Sequence, residues 1–247
     1  MAQVFYPTAL NVITDALTDI GAIDPEGGIT PTSGMTTGAL RVLNYLVTAW
    51  QAHGMQVWCQ KQGTYSLSNG VGNFTIGPSG ATVTADRPLS IQQAWLRNTV
   101  ADPDQDIPIR IISREEYNNL ATKASSGTPI CLYYDPEYDR PGSNSGANAK
   151  GKVYIWPVPD TTVATTYDLY FIYTRPIADF NASSDTLDFP QEWYNAVRWN
   201  LAEALCPSYE VPIVKWDRIR KNAQDSLALA LSWDRDQSSV MISPAQQ

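Results

Sequence analysis

LDFPQEWYNAVRWNLAEALCPSY, residues Leu187 to Tyr209, reads as a helix with both ends marked, and the rest of the chain is placed around it. Asp188 offers a side-chain acceptor ahead of the first turn, Pro190 suits an opening position where its missing N–H is no loss, and Glu192 sets negative charge at the N-terminus. Trp193, Val197, Leu201, Ala204 and Leu205 recur at three- and four-residue spacing, which predicts one apolar stripe, while Glu192, Asn195, Arg198 and Glu203 point elsewhere. Pro207 and Pro212 end the helix. Such a stripe needs partners, and both ends of the chain supply them.

Toward the N-terminus, Thr8 to Ile20 carries Leu10, Ile13, Ala16, Leu17 and Ile20 on one face, with Asp15 and Asp19 opposite and Gly21 as a stop. After the Gly/Pro/Thr linker IDPEGGITPTSG, helical spacing resumes from about Met35 through Leu40, Leu43, Leu46, Val47 and Trp50, with His53-Gly54 as its end. Beyond the organising helix, Val211 to Asp234 predicts a long helix with Ile213, Trp216, Ile219, Ala223, Leu227 and Ala230 on one stripe. Lys215, Arg218, Arg220 and Lys221 form a cationic patch on it. The terminus, DQSSVMISPAQQ, is polar with a small apolar island at Val240-Met241-Ile242.

Between Cys59 and about Thr186 the texture is different: short β-prone runs broken by Gly, Asn, Pro and Ser. TYSLS, NFTIG, PSGATVT, SIQQAWLRN, DIPIRIIS, ICLYYDP, KVYIWPVP and YDLYFIYT read as strands, REEYNNLAT as a short helix, NGVG as a hairpin turn and DTTVATT as a polar turn. Val153 and Ile155 alternate with Tyr154 and Trp156, and Leu169, Phe171 and Tyr173 with Tyr170 and Ile172, so these two strands expect cover on both faces. The expected fold is α+β: a helical bundle from residues 1–58 and 186–247, with an antiparallel β domain, residues 59–185, inserted.

Composition narrows the function. With 247 residues, 43% hydrophobic, the chain is long enough for a real core. No apolar run approaches a membrane span and the start lacks the pattern of a signal peptide, so a soluble protein folded in a cytoplasm is expected. Three scattered cysteines, Cys59, Cys131 and Cys206, predict reduced, buried thiols. A net charge of −8 argues against gripping nucleic acid by its phosphates, while leaving room for a surface past which DNA slides. His53 is the single histidine and suits a helix-end cation; no imidazole pair or metal cluster can be built on it. Gly70, Gly72 and Gly77 do not form a dinucleotide fingerprint, because Thr75 stands where the third glycine belongs. Asp102, Asp104 and Asp106, and again Asp135, Glu137 and Asp139, have calcium-loop spacing. Ile107 and Arg140 replace the turn glycine, and Ser113 and Gly146 the distal Glu, so solvated loops are the expected reading and no cofactor or metal is implied.

A family resemblance enters with these residues taken in order. They are Trp50 with Gly54-Met55-Gln56-Val57-Trp58, Tyr65-Ser66-Leu67, Asn73-Phe74-Thr75-Ile76-Gly77, Ser113-Arg114-Glu115-Glu116-Tyr117 and Tyr133-Tyr134-Asp135-Pro136. Tyr154-Ile155-Trp156-Pro157-Val158-Pro159, Tyr167-Asp168-Leu169, and Leu187-Asp188-Phe189-Pro190 through Trp193 to Asn200-Leu201-Ala202 and Pro207-Ser208-Tyr209 follow. From about Ala9 to Asp234 the chain resembles the head-to-tail adaptor proteins of short-tailed bacteriophages. The resemblance implies a structural virion protein, not an enzyme: a dodecameric ring beneath the portal protein, assembled in the host cytoplasm. Such a ring would meet tail nozzle and tail-fibre or tailspike proteins and pass genomic DNA through its lumen without sequence-specific binding. On that reading Ser238, Ser239, Val240, Met241, Ile242, Ser243 and Pro244 are expected to engage the portal. Lys215, Arg218, Arg220, Lys221, Tyr154, Trp156 and Tyr170 are expected at ring-subunit contacts. The alternatives are another symmetric tail-tube or nozzle ring, or a hydrolase using two carboxylates with aromatic platforms.

Overall fold

A computed structural model describes residues 6–24, 26–52, 57–101, 104–136 and 150–234. They are mixed α and β. In chain order come α1 (Ala9–Ile20), α2 (Ser33–Ala52), β1 (Gln60–Ser66), β2 (Asn73–Gly77), β3 (Val83–Thr84), β4 (Ser90–Asn98) and β5 (Gln105–Ile111). Then follow α3 (Arg114–Asn118), β6 (Cys131–Asp135), β7 (Gly151–Trp156), α4 (Thr161–Thr166), β8 (Tyr167–Thr174), α5 (Tyr194–Leu205) and α6 (Ile213–Trp233). The chain divides into two compact units, Met1–Trp58 with Ile177–Gln247, and Cys59–Pro176.

In the first unit α5 lies against α1, α2 and α6. Burial of Ala196, Val197, Leu201, Ala202 and Leu205 fits that position, because a helix touched from several sides needs small residues as well as large ones. Its start differs from expectation. Gln191–Trp193 forms a 3-10 turn ahead of α5, no side chain caps it, and the Asp188 carboxylate accepts instead from the Ala178 N–H at 3.1 Å. Ala204, expected on the apolar stripe, is exposed. α1 begins with a reciprocal cap in which the Thr8 hydroxyl accepts from Asn11 N–H at 3.3 Å and Asn11 Oδ1 from Thr8 N–H at 2.9 Å. It ends at Gly21, whose φ of 78° is the left-handed conformation a stop requires. On α2, Ala39, Leu43, Val47 and Trp50 are buried; His53 and Gly54 lie outside the described residues. α6 buries Ile219, Ala223, Ser226 and Ala230, whereas Ile213, expected on that stripe, is 62% exposed in the opening turn. Trp50, Trp58, Phe189 and Trp193 gather into one aromatic cluster.

The second unit is an eight-stranded sheet in the order β1-β8-β4-β5-β6-β7-β2-β3. It is mixed rather than antiparallel, since β5 pairs β6 and β2 pairs β3 in parallel. β5 changes partner along its length: Gln105–Ile109 pairs with β4, then Arg110 and Ile111 pair with Cys131 and Leu132 of β6. The two halves of the sheet share one core, in which Leu96, Leu169 and Phe171 meet Phe74, Ile76, Leu132, Val153 and Ile155. Tyr65 of β1 stacks on Phe74 of β2 at 3.9 Å. The glycine turn between them is therefore not a hairpin: β1 pairs β8 and β2 pairs β7, and Gly70, at φ 74°, turns a corner between layers. DTTVATT is likewise helical, as α4, because Asp160 caps Val163 N–H at 2.8 Å, Val163 is buried, and threonine hydroxyls bond back to carbonyls four residues earlier. The three cysteines are buried and form no disulfide with one another, as expected, and burial raises the Cys131 and Cys206 thiol pKa values.

Gly63 on β1 faces Phe171, and a Cβ there would stand 2.5 Å from that ring. Phe171 is fully buried and cannot move aside. Gly63→Ala is expected to cost about 2 kcal/mol by overpacking, measured as a lower denaturant midpoint at unchanged m-value.

Candidate functional site

The outer face of β6 and β7 carries the most organised side-chain surface of the second unit. Ser113 caps α3 through a reciprocal box with Glu116, whose carboxylate accepts from Ser113 N–H at 2.9 Å; these contacts and Arg110 hold the Glu116 pKa below the ordinary range. So anchored, α3 sets Tyr117 against Tyr133 at 5.5 Å and Tyr154 at 5.1 Å, with Tyr133 and Tyr154 stacked at 5.6 Å. A cation lies over each ring: Lys123 at 5.5 Å from Tyr117, Arg114 at 5.8 Å from Tyr133 and Lys152 at 5.0 Å from Tyr154. Desolvation raises the pKa of Tyr117 and Tyr133, which keeps both as neutral phenols. Trp156 donates its indole N–H to the Thr122 carbonyl at 2.9 Å. Tyr154 and Trp156 thus find cover from their own chain, through α3 and the segment after it. Beside them a hollow of about 280 Å³ is lined by Asn73, Tyr117, Lys123, Ala124, Tyr154 and Val158 among others.

Tyr170 lies elsewhere on the sheet, stacked on Trp95 at 5.9 Å with the Arg97 guanidinium 4.7 Å above it. Arg97 also grips Asp106 with two bonds of 2.7 Å, which lowers the Asp106 pKa, and reaches Asp104 at 3.9 Å. Asp106 belongs to β5 rather than to a loop, with both oxygens engaged. Asp135 is a buried β6 residue that accepts from Arg114 at 2.6 Å. Asp102, Glu137 and Asp139 lie outside the described residues, among which no group of three His, Cys, Asp or Glu is gathered for a metal.

Of the α6 cations, Arg220 is exposed but engaged by side chains of its own chain. It meets Glu203 at 3.2 Å and Asp217 at 3.8 Å and lies 5.4 Å from the Trp216 ring. Lys215 is half-buried, while Arg218 and Lys221 are exposed. Ser238, Ser239, Val240, Met241, Ile242, Ser243 and Pro244 lie outside the described residues.

These surfaces hold aromatic rings, ion pairs and shallow hollows, the equipment of a protein that contacts other proteins. The family model for SU10 adaptor proteins matches residues 7–242. The chain belongs to that family. It is a phage head-to-tail adaptor family of structural proteins, which places the adaptor in the virion at the head–tail junction, in contact with portal and tail components. No curated protein matches the adaptor. No described helix is long and apolar enough to cross a membrane.

One contact of the adaptor escaped the sequence reading altogether. Arg198 of α5, expected only to lie off the apolar stripe, binds Asp19 of α1 through two bonds of 2.7 Å. The partners are 179 residues apart. The available signal was an Asp near the end of one predicted helix and an Arg off the stripe of another, and nothing in their spacing joins them.

Proposed function

We propose that the adaptor forms a closed ring beneath the portal and continues the DNA channel toward the tail. The helical unit makes the ring body as a bundle, and the inserted β unit faces the neighbours. The observation that carries this reading is the family match across residues 7–242. The charge of −8 supports it, because a lumen with acidic lining offers packaged DNA no phosphate trap.

The C-terminal segment beyond Asp234 is proposed as the portal contact, with Val240, Met241 and Ile242 as its anchor and ordering on binding as the mechanism. Twelve copies is the expected number. Mass measurement of the protein alone and mixed with portal tests ring and partner together: a single high-mass species with portal is expected, and monomer under both conditions refutes the reading. Deleting residues 238–247 should abolish portal capture with an unchanged melting curve. Capture of nozzle protein but not portal would point instead to a tail-tube or nozzle ring.

A further inference from the structure

The strand order leaves β1 and β3 at the two ends of the sheet and opens the first half of β5, since β6 pairs only Arg110 and Ile111. Two of these edges are defended. β3 is only two residues long, Val83–Thr84. On the open half of β5, Asp106 carries a charge and Pro108 has no N–H to offer. β1 is different. It runs seven residues, Gln60–Ser66, paired to β8 without a break in register, and holds no proline. Arg175 N–H donates to the Cys59 carbonyl at 2.9 Å. Alternation along the antiparallel ladder from that bond commits Lys61, Gly63 and Tyr65 to β8 and turns the N–H and C=O groups of Gln60, Gln62, Thr64 and Ser66 outward. These outward residues are exposed and uncharged, and among the described residues no strand pairs with them on that side. Lys61, the one charge on β1, belongs to the alternate set, and its ammonium lies 3.5 Å from Asp86.

We infer that β1 receives one further strand, an extended and uncharged segment contributed by the tail component next to the adaptor. An extended polypeptide is what offers donors and acceptors at the spacing of Gln60, Gln62, Thr64 and Ser66. The two faces of β1 set the side chains that segment carries. Tyr65 is in the core and Gly63 lies over Phe171, so their face asks for apolar residues, while Gln62 and Thr64 ask for polar ones on the other. A second copy fits poorly. Its β3 and β5 edges are the defended ones, and two β1 edges meet about a two-fold axis, which joins copies in pairs rather than around a junction with unlike head and tail faces. The adaptor contacts portal and tail components, and on the reading above the portal is met by the C-terminal segment, which leaves the tail. The inference rests on that reading for the source of the strand and on the sheet for its chemistry.

Hydrogen exchange of the full-length adaptor, resolved to single residues, tests it in three samples: alone, with portal, and with purified tail nozzle protein. Lys61, Gly63 and Tyr65 amides are expected to be protected in all three. Those of Gln62 and Thr64 should exchange freely until nozzle protein is added and then slow by about ten-fold or more. Gln62→Pro removes an outward donor without touching the bonds to β8, and should weaken nozzle capture by about ten-fold or more at an unchanged melting curve. Gln62→Ala keeps the donor and should bind within about two-fold of the unaltered protein. Equal capture by Gln62→Pro overturns the added strand, as do Gln62 and Thr64 amides that still exchange freely with nozzle protein present. Protection already found in the adaptor alone, or gained with portal, overturns the inference by giving the edge a different occupant. Failure of the ring reading shows separately, as monomer mass with portal, and exchange at Gln62 and Thr64 still decides the edge.

Discussion

Replacing Trp193 by Ala should destabilise the helical unit by about 4 kcal/mol, the upper range for truncating a large core side chain. Trp193 is fully buried at the junction of the 3-10 turn and α5, and its ring lies 4.9 Å from Trp58, 5.5 Å from Trp50 and 6.1 Å from Phe189. Removing the indole strips those three rings of their common neighbour and opens a cavity that helices anchored at both ends cannot close. Against a typical domain stability of about 5–15 kcal/mol, that loss is a large fraction of the total. Trp193→Phe separates volume from polarity. Among the described residues the indole N–H meets no hydrogen-bond partner, so phenylalanine forfeits only part of the ring volume and should cost about 1–2 kcal/mol. Denaturant unfolding followed by circular dichroism checks both; a cost for Trp193→Ala no larger than that for Trp193→Phe contradicts the packing account.

The second large effect is expected at Asp19. Its side chain is 13% exposed and that of Arg198 37%, so the pair lies between a surface bridge, worth about 0–1 kcal/mol, and a buried one, whose rupture costs about 3–5 kcal/mol. Asp19→Ala is therefore expected to cost about 2 kcal/mol, and a double-mutant cycle with Arg198→Ala to show coupling of at least about 1 kcal/mol. Asp15 behaves in the opposite sense. Desolvation raises its pKa, Arg198 draws it back down and Asp19 adds to the rise. A raised carboxyl contributes stability that is present in acid and lost as pH climbs through its folded pKa. Asp15→Asn should consequently leave stability at neutral pH equal to or above that of the unaltered protein, with the difference shrinking as the pH is lowered. A neutral-pH loss matching that of Asp19→Ala would show that Asp15 also anchors Arg198.

What could be read from residues alone follows the range of the forces involved. Local patterns sufficed for Ile13, Ala16, Leu17 and Ile20 on α1, though Leu10, expected on the same face, is exposed in the opening turn, for the apolar face of α2, for the strand SIQQAWLRN, which is β4 residue for residue, and for the alternation that buries Val153 and Ile155. Partners were not legible. Nothing in NGVG distinguishes a hairpin from a corner between layers, because that depends on whether β1 prefers β8 or β2 across about 100 residues of chain. The threonines of α4 favour turns until Asp160 and the buried Val163 are added, and Ile213 matched the α6 stripe yet falls exposed in the opening turn. On the candidate site the two-sided character of Tyr154 and Trp156 was visible, while the cover supplied by Tyr117 and Thr122 was not, since it follows from where α3 lands after β5.

The partner change within β5 has a mechanical corollary. Where β4 and β8 are zipped along their length, the seam between β5 and β6 is stitched by Arg110 N–H to the Ile130 carbonyl at 3.0 Å and Ile112 N–H to the Leu132 carbonyl at 2.8 Å. Under a pull across the sheet, that two-pair seam is expected to part before the longer β4–β8 and β6–β7 ladders on either side of it. The flap that opens takes Tyr133 and Tyr154 with it, so tension felt at one strand end is delivered to the aromatic face at the other.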